Sequence, residues 1–134
     1  MRDLISDYQA LTKEINKAQE KIASIYYAAA SAKIKNVTDM PMAPGFSNSS
    51  LDDVFIRIEE LNESITEYRK ARDRIAEQIE ARLDLAGLSG TDRVVFWYRE
   101  IHGKKWHEIA AKTDKSVRTL QRISQKPIYM SLLL

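Results

Sequence analysis

Two long runs of apolar residues, spaced alternately by three and four positions, dominate this sequence. Such spacing lines up the apolar side chains as one stripe along an α-helix, with polar residues between them. The stripe residues are Leu4, Tyr8, Leu11, Ile15, Ala18, Ile22, Ile25, Ala29 and Ala32 in the first run and Leu51, Val54, Ile58, Leu61, Ile65, Tyr68, Ile75 and Ile79 in the second. We therefore predict long helices over 3–33 and 51–85.

The segment between the two runs breaks the helical pattern. It contains Pro41 and Pro44 and ends in a Ser-Asn-Ser-Ser tetrad. Proline removes a backbone donor and disfavours helix in the residue before it, so we predict a loop over 35–50. Ser49 and Ser50 are residues that favour the N-cap position, and we expect them to cap the second helix.

Two helices of similar length joined by one loop pack as an antiparallel hairpin or pair with another chain, and the sequence leaves both arrangements open. A hairpin buries only one stripe per helix and is marginally stable alone. Either the C-terminal unit or a second subunit should therefore cover the rest of the hairpin, and we favour a homo-oligomer formed through the heptad helices. Arg72 falls on the second stripe, which indicates local fraying of the helix or an ion pair between chains.

Short apolar segments separated by glycine and turn residues follow the second long helix. We predict a helix around 94–101 that Gly103 ends, a second over 104–112, and a third over 117–125 that Pro127 stops. We expect the apolar tail 128–134 to pack on these helices or on a partner. The predicted fold is all-α, with a coiled-coil-like helical hairpin over 1–87 and a three-helix unit over 88–134.

The last two of these short helices have the spacing of a helix-turn-helix. The turn is Thr113-Asp114-Lys115, and Asp114 stands where a left-handed backbone is needed, which Asp tolerates well. Ser116 is placed to cap the third helix, the element that enters the major groove in this motif. We expect a small core formed by Ile109, Ala110, Leu120 and Ile123.

The opposite face of the third helix carries side chains suited to contacts with DNA. Arg and Gln form paired hydrogen bonds with the edges of guanine and adenine, and lysines bind phosphates. The predicted base-reading residues are Ser116, Val117, Arg118, Gln121 and Arg122, and the predicted phosphate-binding residues are Lys104, Lys105, Lys112, Lys115 and Thr119.

The charge distribution also favours a polyanionic partner at the C-terminal end. Residues 1–90 contain 12 Lys or Arg and 15 Asp or Glu, a net charge of −3. Residues 91–134 contain nine Lys or Arg and four Asp or Glu, a net charge of +5. A polyanion such as double-stranded DNA would meet the basic end first.

A family resemblance covers nearly the whole chain. The residues that carry it are Leu88, Thr91-Asp92-Arg93-Val94-Val95, Tyr98-Arg99-Glu100-Ile101-His102-Gly103, Trp106, Glu108-Ile109-Ala110 and Ser116-Val117-Arg118-Thr119-Leu120, with a weaker match over the loop 39–45. This pattern resembles sigma-factor region 4 and, more closely, the ArpU/RinA-like regulators of phages of Gram-positive bacteria. The resemblance implies control of phage late genes, with the third helix as the DNA reader and RNA polymerase as a further partner. The sequence departs from the family at Thr113, where an apolar residue is usual, and at Asp114, where glycine is usual. Pro127 and the uncharged tail 128–134 also replace the expected helical continuation.

Other classes of function find little support in the sequence. There are no cysteines, and His102 and His107 fall short of the three or four ligands of a zinc site, so we expect no metal and no cofactor. We find no glycine-rich phosphate loop and no catalytic triad, and we expect no enzyme. We also expect no signal peptide and no membrane span, hence a cytoplasmic protein of a bacterial host cell. Trp97, Tyr98 and Trp106 fit core packing better than stacking on single-stranded nucleic acid.

Two alternatives to a DNA-binding regulator remain open. The chain could be a protein-interaction module whose hairpin binds a phage or host partner such as polymerase. It could also be a small DNA-packaging subunit of the terminase type, which joins a helix-turn-helix to a helical oligomerisation part.

Overall fold

The structure, a computed structural model, describes residues 1–38 and 48–134, with side chains described for 1–31 and 51–134. This part of the chain is built from helices and turns and contains no β-strand, which confirms the predicted all-α fold. The helices are α1 (Arg2–Thr38), α2 (Asn48–Ala86), α3 (Gly90–Phe96), α4 (Trp106–Thr113), α5 (Val117–Ser124) and α6 (Pro127–Leu132). A π-helical turn, Trp97–Ile101, continues α3 without a break.

The two long helices extend beyond their predicted ends. The predicted loop over 35–50 was wrong at both ends, because residues 35–38 belong to α1 and residues 48–50 belong to α2. Neither stretch contains proline or glycine, so nothing in it stops a helix. Ser49 and Ser50 lie within α2 and are not its N-cap residues. The rest of the predicted loop, 39–47, lies outside the described residues.

Compact packing divides the chain into two units, and the first of them comprises residues 12–70. Here the stripes of α1 and α2 face each other, and Ile15, Ala18 and Ile65 form a buried cluster. Ile22, Leu61 and Tyr68 pack against this cluster and are partly buried. Among residues with described side chains, the predicted heptad stripes are confirmed along this stretch except at Leu51, which is 41% exposed. The stripe position Ala32 lies outside the residues with described side chains.

The other unit comprises residues 1–11 and 71–134, so the described structure divides the chain elsewhere than at the predicted boundary between 87 and 88. Its core contains side chains of the long helices as well as of the short ones. The residues of this core with no more than 1% exposure are Ile79, Leu83, Val95, Phe96, Ile109, Leu120 and Tyr129. Helices of seven or eight residues bury too little surface to be stable alone, and the ends of α1 and α2 supply the missing part of the core.

Polar contacts also join the short helices to the long ones within this unit. The Arg93 guanidinium donates to the carboxylates of Glu80 and Asp84, and its contact with Asp84 Oδ1 measures 2.5 Å. On the α1 side, the Gln9 amide donates to the carbonyl oxygen of Ile101 at 3.1 Å. These contacts fix the direction in which α3 leaves the end of α2.

Arg72 occupies its stripe position without any break in α2, so the expected local fraying was wrong. The carbon at the centre of its guanidinium lies 5.6 Å from the ring centroid of Tyr8. A cation over an aromatic face is favourable while its outer edge stays solvated. The chain therefore accommodates this charge through an internal contact with α1.

The apolar tail forms α6 and packs on the short helices, which was one of the two predicted arrangements. Pro127 does end the stretch of α5, but it also occupies the first turn of α6, where its missing N–H costs nothing. The ring of Tyr129 packs edge-on against Phe96, with centroids 5.1 Å apart. Its hydroxyl donates to Glu100 Oε1 at 2.9 Å. Burial and the nearby Glu100 carboxylate raise the pKa of Tyr129 far above its ordinary value, so the hydroxyl remains a neutral donor.

We expect Tyr129→Ala to lower the free energy of unfolding by about 3–5 kcal/mol, because it empties a core site filled by an aromatic ring. Tyr129→Phe should cost about 1–3 kcal/mol, because it removes only the hydrogen bond to the carboxylate. Met130→Ala, on the same helix and 53% exposed, is the matched control and should change the free energy by less than about 0.5 kcal/mol. Urea denaturation followed by circular dichroism measures all three. Equal losses for Tyr129→Ala and Met130→Ala would contradict the packing of α6.

Candidate nucleic-acid interface

Three residues, Asp114 to Ser116, join α4 to α5. Asp114 follows the last residue of α4 with φ of 58°, the left-handed conformation predicted for it. Its N–H donates to the carbonyl oxygen of Ala110 at 3.0 Å. Thr113 was predicted to be part of the turn but ends α4, and its hydroxyl donates to the carbonyl oxygen of Ile109 at 2.8 Å. The turn therefore begins one residue later than predicted.

Ser116 is the N-cap of α5, as predicted. Its Oγ accepts a hydrogen bond from the Thr119 N–H at 3.2 Å and lies 2.9 Å from Thr119 Oγ1. The Ser116 carbonyl oxygen accepts the first helical bond, from the Leu120 N–H at 3.1 Å. The hydroxyls of Ser116 and Thr119, predicted as a base-reading and a phosphate-binding group, therefore already bond each other and stabilise the start of α5.

Helix α5 has one buried and one exposed face. Leu120 and Ile123 are buried, where α5 packs against α3 and α4. With about 100° per residue, Arg118, Gln121 and Arg122 project within roughly 50° of the direction opposite to that core. All three are exposed. The structure therefore gathers three of the predicted base-reading side chains on one solvent-facing surface.

Val117 lies at the edge of this surface and is 37% exposed. Residues 115–126 contain four Lys or Arg and no Asp or Glu. One of these cations, Lys126, forms an ion pair with Asp92 at 2.8 Å, which holds the end of α5 near α3. The net positive charge along the exposed side of α5 therefore comes from Lys115, Arg118 and Arg122.

The four lysines predicted to bind phosphate occupy the two ends of α4. Lys104 and Lys105 precede its first residue, while Lys112 is in its last turn and Lys115 follows it. A helix of eight residues is about 12 Å long, so the structure places these lysines in two pairs rather than in one group. Lys105, Lys112 and Lys115 are exposed, and Lys104 is partly buried.

The aromatic residues near α4 belong to the edge of the core. Trp97, Tyr98 and Trp106 are partly buried and pack against the main cluster. The Arg99 guanidinium lies 4.3 Å from the ring centroid of Trp106. These packed faces agree with the expected core role, since a stacking platform for bases needs an open ring face.

His102 follows the π-helical turn and is exposed, but aromatic rings cover part of its imidazole. Its ring centroid lies 6.0 Å from those of Tyr8 and Trp97. Partial burial is the largest cause that lowers the pKa of His102, and the positive charges of Lys104, Arg72 and Lys112 lower this pKa further. Within the described ranges, no group of three or more His, Asp or Glu side chains could hold a metal ion.

The surroundings of His102 are the feature that the sequence failed to indicate. The His102 N–H donates to the carbonyl oxygen of Trp97 at 3.0 Å, a bond that spans five residues. A π-helical turn, with hydrogen bonds between residues five apart, brings such residues onto one face. The positions of Trp97 and His102 carry no signal of this contact under ordinary helical periodicity.

Comparison with protein-family models, with curated proteins and with solved structures gave no match to this chain. None of the helices among residues 1–38 and 48–134 combines the length and the apolar character needed to cross a bilayer.

The cap of α5 gives a stability test with an internal control. Ser116→Ala should lower the free energy of unfolding by about 1 kcal/mol, because it leaves a backbone donor of α5 without its acceptor. Ser89 holds the N-cap position of α3, but its side chain makes no capping bond, so Ser89→Ala should change stability by less than about 0.5 kcal/mol. Chemical denaturation of both variants measures these changes in the free energy of unfolding. A loss at Ser89 as large as that at Ser116 would refute the assigned cap.

The surroundings of His102 predict a pH dependence of stability. The pKa of His102 in the folded chain lies below the ordinary value of 6.5. As the pH falls through this range, the unfolded chain therefore binds more protons than the folded chain. The contribution of the neutral His102 imidazole to the free energy of unfolding is therefore present above pH 6.5. It is lost as the pH falls through the pKa that His102 has in the folded chain. We expect the Tm of the wild type to fall more steeply between about pH 7.5 and 5 than that of His102→Gln. His107→Gln serves as the control for loss of an exposed imidazole, and coinciding slopes for wild type and His102→Gln would contradict the prediction.

Proposed function

We propose that this chain is a sequence-specific double-stranded DNA-binding protein in which α5 enters the major groove. One observation carries the proposal: Arg118, Gln121 and Arg122 share the exposed face of a capped helix whose opposite face is buried through Leu120 and Ile123. The major groove is wide enough to admit an α-helix, and each base pair presents a distinct pattern of donors and acceptors there.

The side chains on this face suit direct contact with bases. An Arg can donate two hydrogen bonds to guanine, and a Gln can pair with adenine through its amide. Val117, at the edge of the face near the start of α5, offers an apolar contact for a thymine methyl group. Ser116 supports these contacts by fixing the first turn of α5, the part of the recognition helix that approaches the bases.

The lysines at both ends of α4 suit the DNA backbone. Lys112 and Lys115 flank the turn before α5, and Lys104 and Lys105 precede α4. Contacts of this kind position a protein on the duplex without reading its sequence, and they make affinity depend steeply on salt. Thr119 adds a hydroxyl near the N-terminal end of α5.

Within this function, we propose transcriptional regulation as the biological role. The resemblance to sigma-factor region 4 and to the ArpU/RinA-like phage regulators supports it, with control of late genes as the process and RNA polymerase as a further partner. Two-fold sites on DNA are commonly bound by dimers, and we propose a homo-oligomer formed through the long helices. Tyr27 and Phe55, which are 77% and 58% exposed on those helices, support such an interface.

The exposed aromatic residues favour one alternative, a protein-interaction module in which α5 has no partner of its own. Tyr26, Tyr27, Phe55 and Ile56 all have more than half of their surface exposed. Charge reversal at Arg118 and Arg122 would leave the function of such a module intact. A ring-shaped oligomer in light scattering would instead favour a small DNA-packaging subunit.

DNA recognition by α5 is tested with duplexes selected from a random pool by the wild-type chain. Arg118→Ala should weaken binding to the selected duplex by about 1–3 kcal/mol and relax the preference at one position. Lys105→Ala should weaken binding to all duplexes alike and lower the salt slope by about one. Fluorescence anisotropy at several salt concentrations measures both effects.

The matched control for this experiment is Arg69→Ala, which removes an exposed charge from α2 far from α5 in the sequence. It should leave the selected preference unchanged. Absence of any duplex binding at low salt would refute the proposed function, and an equal effect of Arg69→Ala and Arg118→Ala would refute the role of α5.

A further inference from the structure

Arg99 contacts the chain on both sides of Lys105. It belongs to the π-helical turn and its side chain is partly buried. Its Nη1 donates to the carbonyl oxygen of Lys104 at 3.1 Å. The carbon at the centre of the same guanidinium lies 4.3 Å from the ring centroid of Trp106. One side chain therefore holds the residue before Lys105 and the residue after it.

Backbone hydrogen bonds hold the same short segment between the π-helical turn and α4. Gly103 adopts φ of +63°, a conformation that glycine reaches without steric cost. The next N–H, that of Lys104, donates to the carbonyl oxygen of Tyr98 at 2.9 Å. The Lys105 carbonyl oxygen accepts a helical bond of α4 from the Ile109 N–H at 3.0 Å. The backbone of Lys105 is therefore tied to the π-helical turn on one side and to α4 on the other.

The side chain of Lys105 points to a role outside the fold. Lys105 is the N-cap residue of α4, yet its side chain makes no capping bond and is exposed. A lysine that binds a partner from a fixed backbone loses less conformational freedom than one on a loose segment, so its contact is stronger. Arg99 suits the task of fixing that backbone, because a guanidinium can stack its planar face on a ring while its edge donates hydrogen bonds.

We propose that Arg99 is a positioning residue for DNA binding, which holds Lys105 ready for a phosphate of the DNA backbone. This role rests on the proposed function, because it requires that Lys105 meets such a phosphate. Without the Arg99 guanidinium, the segment from Gly103 to Trp106 loses a hydrogen bond and a stacking contact. Lys105 must then be ordered when DNA binds, and its contact with the phosphate is weakened.

A double-mutant cycle in the intact chain tests this role. Fluorescence anisotropy measures how the affinity for the selected duplex depends on salt in the wild type, in Arg99→Gln, in Lys105→Ala and in the double variant. Each single change should lower the salt slope by about one, and the double variant should lower it no further, because Arg99 acts through Lys105. A merely structural loss would reduce the fraction of active protein and would leave the effect of Lys105→Ala on the slope in place.

Three further variants control for folding and for charge. Arg74→Gln removes an exposed guanidinium from α2 and should leave both the slope and the effect of Lys105→Ala unchanged. Lys112→Ala, at the other end of α4, should lower the slope by about one in the wild type and in Arg99→Gln alike. Arg99→Lys serves if Arg99→Gln lowers stability. It retains the positive charge but has no planar group to stack, so it should abolish the effect of Lys105→Ala as well.

Two results of the cycle would overturn the positioning role while leaving the proposed function intact. If the changes of slope add to about two, Arg99 contacts a phosphate itself. If Arg99→Gln and Arg99→Lys both preserve the wild-type slope and the effect of Lys105→Ala, Arg99 has no part in DNA binding. Absence of duplex binding by the wild type at low salt is a different result, because it refutes the proposed function, and the role of Arg99 fails with it.

Discussion

The packing of the short helices against the ends of the two long ones is the constraint on which the candidate interface depends. Helices of seven or eight residues are not stable alone in water, and their own apolar side chains make only a small cluster. Ile79 and Leu83 of α2, each fully buried, complete the core around Ile109 and Leu120. Because Leu120 lies on the back of α5, burial of this one side chain decides which face of α5 meets the solvent. The direction of Arg118 and Arg122 is thus set by residues more than 30 positions earlier.

Polar contacts at the edge of that core hold the same arrangement in ways that burial alone could not. Apolar packing is nondirectional, whereas the fork of Arg93 on two carboxylates of α2 allows one orientation of α3. Glu100 has a similar role. It accepts a hydrogen bond from the Tyr129 hydroxyl and thereby connects α6 to the π-helical turn. These charged groups lie where one side remains near water, so they contribute orientation without the desolvation cost of a deep ion pair.

Those parts of the fold that follow from local chemistry could be predicted from the sequence. The heptad stripes depend on spacing, and the left-handed Asp114 and the Ser116 cap depend on the preference of a single residue. The structure confirms the two single-residue predictions and, apart from Leu51, the described part of the stripes. The shared core could not be predicted in the same way. Leu83 and Phe96 lie off the expected stripes, and their burial depends on which helices meet in three dimensions. The π-helical turn is another such case, because its five-residue alignment has no signature at a period of 3.6.

The distribution of charge in the fold also could not be predicted from the sequence. Counted along the sequence, the acidic part ends at residue 90 and Arg72 belongs to it. In the fold, Arg72 and His102 both lie against the Tyr8 ring. The positive charge of Arg72 lowers the pKa of His102, as do the charges of Lys104 and Lys112. Electrostatic interaction falls with distance and is screened over about 8–10 Å at physiological salt, so the pKa of His102 depends on this local group and not on the net charge of a sequence segment. Helix α2 therefore contributes a cation to the surroundings of His102 in addition to carrying its heptad stripe.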